Sequence, residues 1–249
     1  MSSSLASPTT ILITGGTSGI GLQLVKKLPA YGHRLIVIAR RASKLSEIAP
    51  DSCGAVVPYD CDLSDEAALG ETLDTIIEKH SGISVVINNA ALQYPVAMTE
   101  PNFDPAMMCK EVAINLVAPA IIAQRMLPVL QKQNRQCAIV NMSSGLAFYP
   151  KTQTALYCAT KAAIHSFSQS LRYQLADTNI QVIEVILPLV DTPMTAGRGY
   201  GKISAKQAAD AVLRGMAQGK SEIYVGKARL LRIINRLAPS AGRKALKGS

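Results

Sequence analysis

Eight residues, Thr14-Gly15-Gly16-Thr17-Ser18-Gly19-Ile20-Gly21, stand between an aliphatic run at 11–14 and helix-spaced aliphatics at 20–28. No other feature of the chain restricts its fold so tightly. Glycines at 15, 19 and 21 let the backbone turn sharply, approach a ligand closely and pack the following helix onto a sheet. That helix presents unpaired N–H groups and a positive dipole end to any phosphate placed before it. Thr17, Ser18 and Ile20 complete the loop, so residues 15 to 21 are expected to cradle a dinucleotide pyrophosphate. A strand running into such a turn belongs to a parallel α/β sheet.

The rest of the chain keeps that rhythm. Buried aliphatic runs at 35–39, 55–59, 84–88, 138–142, 182–187 and 223–225 alternate with helical patterns at 105–132, 154–175 and 205–218. A further helix is expected over 64–80, with Ser64 as its cap and Asp65 and Glu66 in its first turn. Repeated strand–helix–strand order predicts one doubly wound domain with helices on both faces of a parallel sheet. Hydrophobic residues reach 48% while aromatics supply only 4%, which suits aliphatic strands buried on both sides.

The residues after the second strand read Ile38-Ala39-Arg40-Arg41, and no acid follows until Glu47. An NAD site wants an acid about 20 residues past the loop, on the ribose 2′-hydroxyl. Two guanidiniums suit a 2′-phosphate instead, so the expected cofactor is NADP(H).

Tyr157 and Lys161 lie four apart in the 154–175 helix, on one face. Of eight tyrosines only Tyr157 has a lysine at that spacing. Ser144 lies 13 residues earlier, just past the fifth strand, at the sheet end where α/β folds bind ligands.

With these residues in place the chain resembles a short-chain dehydrogenase/reductase of the single-domain branch. The likeness covers nearly all of 10–225: the 14–21 loop, Asp62-Leu63, Asn88-Asn89-Ala90, Asn115, Ser144 and Tyr157-Cys158-Ala159-Thr160-Lys161. It implies a Rossmann domain with a seven-stranded sheet in the order 3-2-1-4-5-6-7. It also implies hydride transfer between nicotinamide and a carbonyl or secondary alcohol, with Asn115, Ser144, Tyr157 and Lys161 as the catalytic set. Tyr157 would be the acid–base, Ser144 would hold the substrate oxygen, and Asn115 would continue the proton path from Lys161. An ammonium about 4 Å from a phenol, at an effective dielectric near 20, is worth about 4 kcal/mol, which would bring Tyr157 from about 10 toward neutrality. Asp62, Leu63, Asn89, Ala90, Val190 and Thr192, with Tyr157 and Lys161, would complete the nucleotide site. The family also implies a homodimer or homotetramer.

Two places depart from the family pattern. Ala91 replaces a usual Gly, and Leu187-Pro188 occupies the usual Pro-Gly positions, where Pro188 fixes φ and removes an N–H. Pocket walls are expected from 92–98, 145–149 and 189–203, which bring Tyr94, Leu146, Phe148, Leu189 and Met194 around Ser144 and Tyr157. These favour an apolar ketone or aldehyde. The glycine-rich 195–202 segment looks like a lid, on which Arg198 and Lys202 could meet an anion.

Charge excludes other classes. Of the formal +9, residues 226–249 carry +7 and no acid, leaving 19 basic against 17 acidic groups in the rest. This basic helix and tail lacks interleaved aromatics, so nucleic-acid binding is not expected. Leu230, Leu231, Ile233, Ile234 and Leu237 among its charges allow a weak contact with a membrane surface. No transmembrane segment or signal peptide is expected. His33, His80 and His165 are scattered and the five cysteines show no CxxC spacing, so no metal is assigned. Reduced thiols fit a cytoplasmic protein. The competing reading is a non-catalytic NADP(H) sensor or scaffold, since a fold does not determine a function.

Overall fold

The computed structural model describes residues 4–230. Its elements are β1 (Thr10–Thr14), α1 (Gly19–Lys27), β2 (Arg34–Ala39), α2 (Leu45–Ile48), β3 (Val56–Asp60), α3 (Glu66–Lys79), β4 (Ile83–Asn88), α4 (Pro105–Val112), α5 (Ala118–Gln131), β5 (Cys137–Ser144), α6 (Ala155–Gln174), β6 (Ile180–Leu187), β7 (Val190–Asp191), β8 (Ile203–Ser204), α7 (Ala205–Ala217) and β9 (Glu222–Tyr224). Seven strands form one parallel sheet in the order β3-β2-β1-β4-β5-β6-β9. This is the expected order, with β9 as the seventh strand because the two-residue β7 and β8 pair separately.

The period of two along each strand divides the core. Ile11 and Ile13 of β1 face α1 and α7, packing with Leu24, Val25, Val212 and Met216. Leu12 faces the opposite layer with Leu73, Ile76, Ile122 and Met126, from α3 and α5. Both layers exclude water from the central strands, and each fully buried aliphatic side chain contributes about 1.5–3 kcal/mol relative to exposure. The order reverses at β1, whose neighbours are β2 and β4, and a crevice opens there at the carboxyl ends.

The expected 105–132 helix is continuous but not uniform. Ala113–Val117 forms one π turn between α4 and α5. Pro119 explains its position, because it has no N–H to return to the Asn115 carbonyl four residues earlier. By length and composition Pro105–Gln131 could cross a membrane. Here Ile122, Ala123, Met126 and Leu130 are buried against the sheet, as in a core helix.

Helix α3 starts one residue later than expected. The Ser64 hydroxyl and N–H both donate to Asp62 Oδ1, at 2.7 and 3.0 Å, and Asp65 caps the helix by accepting from the Ala68 N–H at 3.0 Å. At the far end a helical turn begins at Ala228. The remainder of the basic tail, with Leu231, Ile233, Ile234 and Leu237, lies outside the described residues.

Candidate active site

The first turn of the nucleotide loop is held from the neighbouring strand. The N–H groups of Asn89 and Ala90 donate to Thr14 Oγ1 at 3.1 and 3.0 Å, and Asn89 Nδ2 donates to the carbonyls of Thr14 and Gly15 at 3.0 Å. Gly15 and Gly19 take φ of +71° and +52°, where a side chain would be strained. Gly21 serves the packing task expected of the loop's glycines, and not that of a cofactor contact. A Cβ there would lie 2.2 Å from the Gly15 carbonyl oxygen, so Gly21 lets helix and loop touch and does not line the crevice.

The crevice is a cleft of about 1610 Å³. Thr17, Ser18, Gly19 and Ile20 line it, with Arg40 and Arg41 beyond β2, Asp62 and Leu63 beyond β3, and Asn89 and Ala90 beyond β4. Val190 and Thr192, beyond β6, also line it, with Thr192 next to Gly19 of the loop. The loop and the open first turn of α1 fit a pyrophosphate. Arg40 and Arg41 are exposed at the end that would hold the adenosine ribose. The nearest acid on β3, Asp60, is occupied elsewhere: Ser43 donates its N–H and its hydroxyl to that carboxylate, each at 2.8 Å. The residues therefore fit a 2′-phosphorylated dinucleotide.

Ser144, Tyr157 and Lys161 line the same cleft. Ser144 ends β5 and accepts the Leu146 N–H at 3.1 Å, which orients its oxygen and leaves its hydrogen to donate. Lys161 is 4% exposed, donates to the Met142 carbonyl at 2.7 Å, and holds its ammonium 5.5 Å from the Tyr157 ring centre. Asn115 stands behind the wall. Its side chain exchanges two 2.8 Å hydrogen bonds with the Leu92 backbone and donates to Thr160 Oγ1 at 3.2 Å.

The electrostatics overturn one expectation. Burial pushes the Tyr157 phenol above its ordinary value, with Cys158 and Glu111 adding to the rise and Arg198 opposing it. The lysine lies against the ring face and donates to a carbonyl, so it does not offset the burial of the phenol. Burial instead lowers Lys161 to about 8, against the pull of Glu184 and Glu111.

Of the expected pocket residues, Tyr94, Leu146, Leu189 and Met194 line the cleft and Phe148 does not. Phe148 packs between His165, at 4.8 Å between ring centres, and Tyr224, at 6.5 Å. Pro188 lines the cleft beside Leu189, whose carbonyl accepts the Ile203 N–H at 3.2 Å. Lys202 does not line the cleft; it pairs with Asp191 at 3.6 Å and donates to the Thr195 carbonyl at 2.5 Å.

Four residues escaped the sequence reading of the site. Glu184 is fully buried under α6 and pairs with His165 Nδ1 at 2.8 Å. The signal was a carboxylate inside the aliphatic run 182–187, since a charge in a buried strand needs a partner. Glu111 is buried beside Tyr157, and burial raises it to about 7. Lys151 and Lys227, from two other segments, line the cleft. Among the described residues no cluster of three or more His, Cys, Asp or Glu could hold a metal.

Comparison with known proteins agrees with this geometry. Residues 9–202 match the family model for short chain dehydrogenases. The chain is 36% identical over 220 residues to the oxidoreductase DltE of Bacillus subtilis (strain 168), covering 86% of each. It is 30% identical over 211 residues to an NADP-dependent 3-hydroxy acid dehydrogenase of Schizosaccharomyces pombe, covering 82% of this chain and 79% of that one. A short chain dehydrogenase from Burkholderia cenocepacia J2315, solved in complex with NADP, superposes with a TM-score of 0.85 at 26% identity, covering 96% of this chain and 98% of the other.

Proposed function

The chain belongs to the short-chain dehydrogenase family of oxidoreductases, and on that footing we propose that it is an NADP(H)-dependent carbonyl reductase. One observation carries the reading: Ser144, Tyr157 and Lys161 face the same cleft as the phosphate loop and the Arg40-Arg41 pair. When bound, the nucleotide supplies the hydride for the carbonyl carbon.

The protein's own residues supply the rest. Tyr157, raised by burial, is protonated at neutral pH and donates that proton to the substrate oxygen. The Ser144 hydroxyl donates to the same oxygen and stabilises its developing charge. Lys161, still mostly an ammonium below about 8, stabilises the phenolate left behind. Asn115 anchors the Leu92 segment of the wall and, by likeness to the family, continues the proton path behind Lys161. Leu146, Leu189 and Met194 surround the apolar part of the substrate. The five free cysteines support a cytoplasmic setting, and family likeness a homodimer or homotetramer.

Tyr157→Phe tests the assignment. NADPH oxidation against a panel of ketones and aldehydes should fall to background, while NADPH still quenches or shifts fluorescence as in the unaltered chain. Turnover that survives the substitution refutes the acid–base role. Binding of NADPH with no carbonyl reduced by the unaltered chain would favour the nucleotide-holding reading.

A further inference from the structure

The cleft is larger than the roughly 300–1,000 Å³ that one small ligand needs, so beyond the nucleotide it accommodates a second molecule. The charges around it are unbalanced. Among its lining residues Asp62 is the sole carboxylate, and Lys110 already pairs with it at 3.3 Å. Arg40 and Arg41 stand at the β2 end, and Lys161 faces the Met142 carbonyl. Three further cations line the cleft with no ion pair to any described carboxylate: Lys151, Arg198 and Lys227.

These three come from separate parts of the chain. Lys151 precedes α6 by a few residues, next to Gln153 and Thr154 on the Tyr157 side of the cleft. Arg198 lies in the loop between β7 and β8, and its guanidinium donates to the Met194 carbonyl, which keeps it against the cleft. Lys227 follows β9 and reaches back to that loop: a Cβ on Gly201 would lie 3.2 Å from its Nζ. Arg198 is near enough to the reacting hydroxyl to pull the Tyr157 phenol down against its burial. Three cations lining one cleft, whose sole carboxylate is already paired, give it a positive potential that favours an anion.

We propose that the substrate is a carbonyl compound bearing an anionic group, a carboxylate or a phosphate monoester, seated among Lys151, Arg198 and Lys227. Leu146, Leu189 and Met194 still line the space nearer Ser144, so the substrate has an apolar body between its carbonyl and its anionic end. This inference rests on the carbonyl-reductase reading and, against the apolar substrate that the sequence favoured, takes up the anion that Arg198 was expected to be able to meet.

Matched pairs test it with NADPH as reductant: oxo carboxylates of increasing length against their methyl esters, and hydroxyketone phosphates against the free hydroxyketones. In one pair type the anionic member should show kcat/KM about tenfold or more above its neutral partner, as one charge-assisted contact would give. The pair type that shows it identifies the carboxylate or the phosphate. The ratio should shrink toward one in the K151M/R198M/K227M variant. In the unaltered chain it should shrink as salt rises, a readout that survives if that variant fails to fold. Reduction of neutral members without an anionic advantage overturns the inference and leaves the carbonyl-reductase reading standing. Failure of every pair, neutral and anionic alike, overturns both.

Discussion

Lys161 keeps its charge in a buried place because two glutamates share that place with it. Burial lowers the ammonium, and Glu184 and Glu111 limit the fall to about 8. Glu184 is in turn met by His165, whose protonation its hydrogen bond favours, while Arg172 and Glu222 act on that histidine from outside. Replacing Glu184 by Gln removes a negative charge facing Lys161, so the ammonium should be lost at lower pH. The alkaline limb of kcat/KM should move toward acid, and a limb that stays in place would show that Glu184 does not act on Lys161. Glu111 makes a prediction of the opposite kind, about stability. Burial raises it from 4.5 to about 7, so between those values the folded chain binds the proton more tightly than the unfolded chain. Stability must then decline as pH rises through that window. Glu111→Gln should abolish that part of the slope in urea midpoints taken from pH 5 to 8; an unaltered slope would place its origin elsewhere.

At the scale of elements, the loop and the strands were legible because each is a local pattern: continuous aliphatic runs, a glycine-rich turn, a tyrosine and lysine one helical turn apart. The misses have two causes, a competing local turn in one case and tertiary contacts in the others. Ser64 has the composition of a helix cap, but Asp62 takes both its hydroxyl and its N–H, and Asp65 inherits the position. Asp65→Ala should therefore cost about 1 kcal/mol in chemical denaturation, as a lost N-cap does, and a negligible loss would contradict the cap. Phe148 has the chemistry of a pocket wall, yet His165 and Tyr224 supply a better packing partner on the far side of its turn. Lys151 and Lys227 lie 76 positions apart, and only the fold brings both to the cleft. The π turn at Asn115 was readable in principle, since Pro119 four residues later cannot close an ordinary helical turn.

For the molecule as a whole, the formal +9 is less informative than its placement. The chain before residue 226 is close to neutral, with 19 basic and 17 acidic groups, so long-range attraction of anions cannot come from its overall charge. The cleft is where the imbalance lies. Its open nucleotide end carries Arg40 and Arg41, both exposed, while Asp60 is engaged by Ser43 and does not line the cleft. An exposed guanidinium pair of this kind does two things for a 2′-phosphate. It speeds capture through a field that salt screens within about 10 Å at 0.1 M, and it holds the bound phosphate by charge-assisted hydrogen bonds of about 1.5–3 kcal/mol each. NADPH should accordingly be preferred over NADH, with an association rate that falls as ionic strength rises. The R40A/R41A variant should lose about a hundredfold or more of that preference, through weaker NADPH binding with NADH little affected. Equal KM values for the two nucleotides in the unaltered chain would remove the basis for the cofactor assignment, which rests on the Arg40-Arg41 pair.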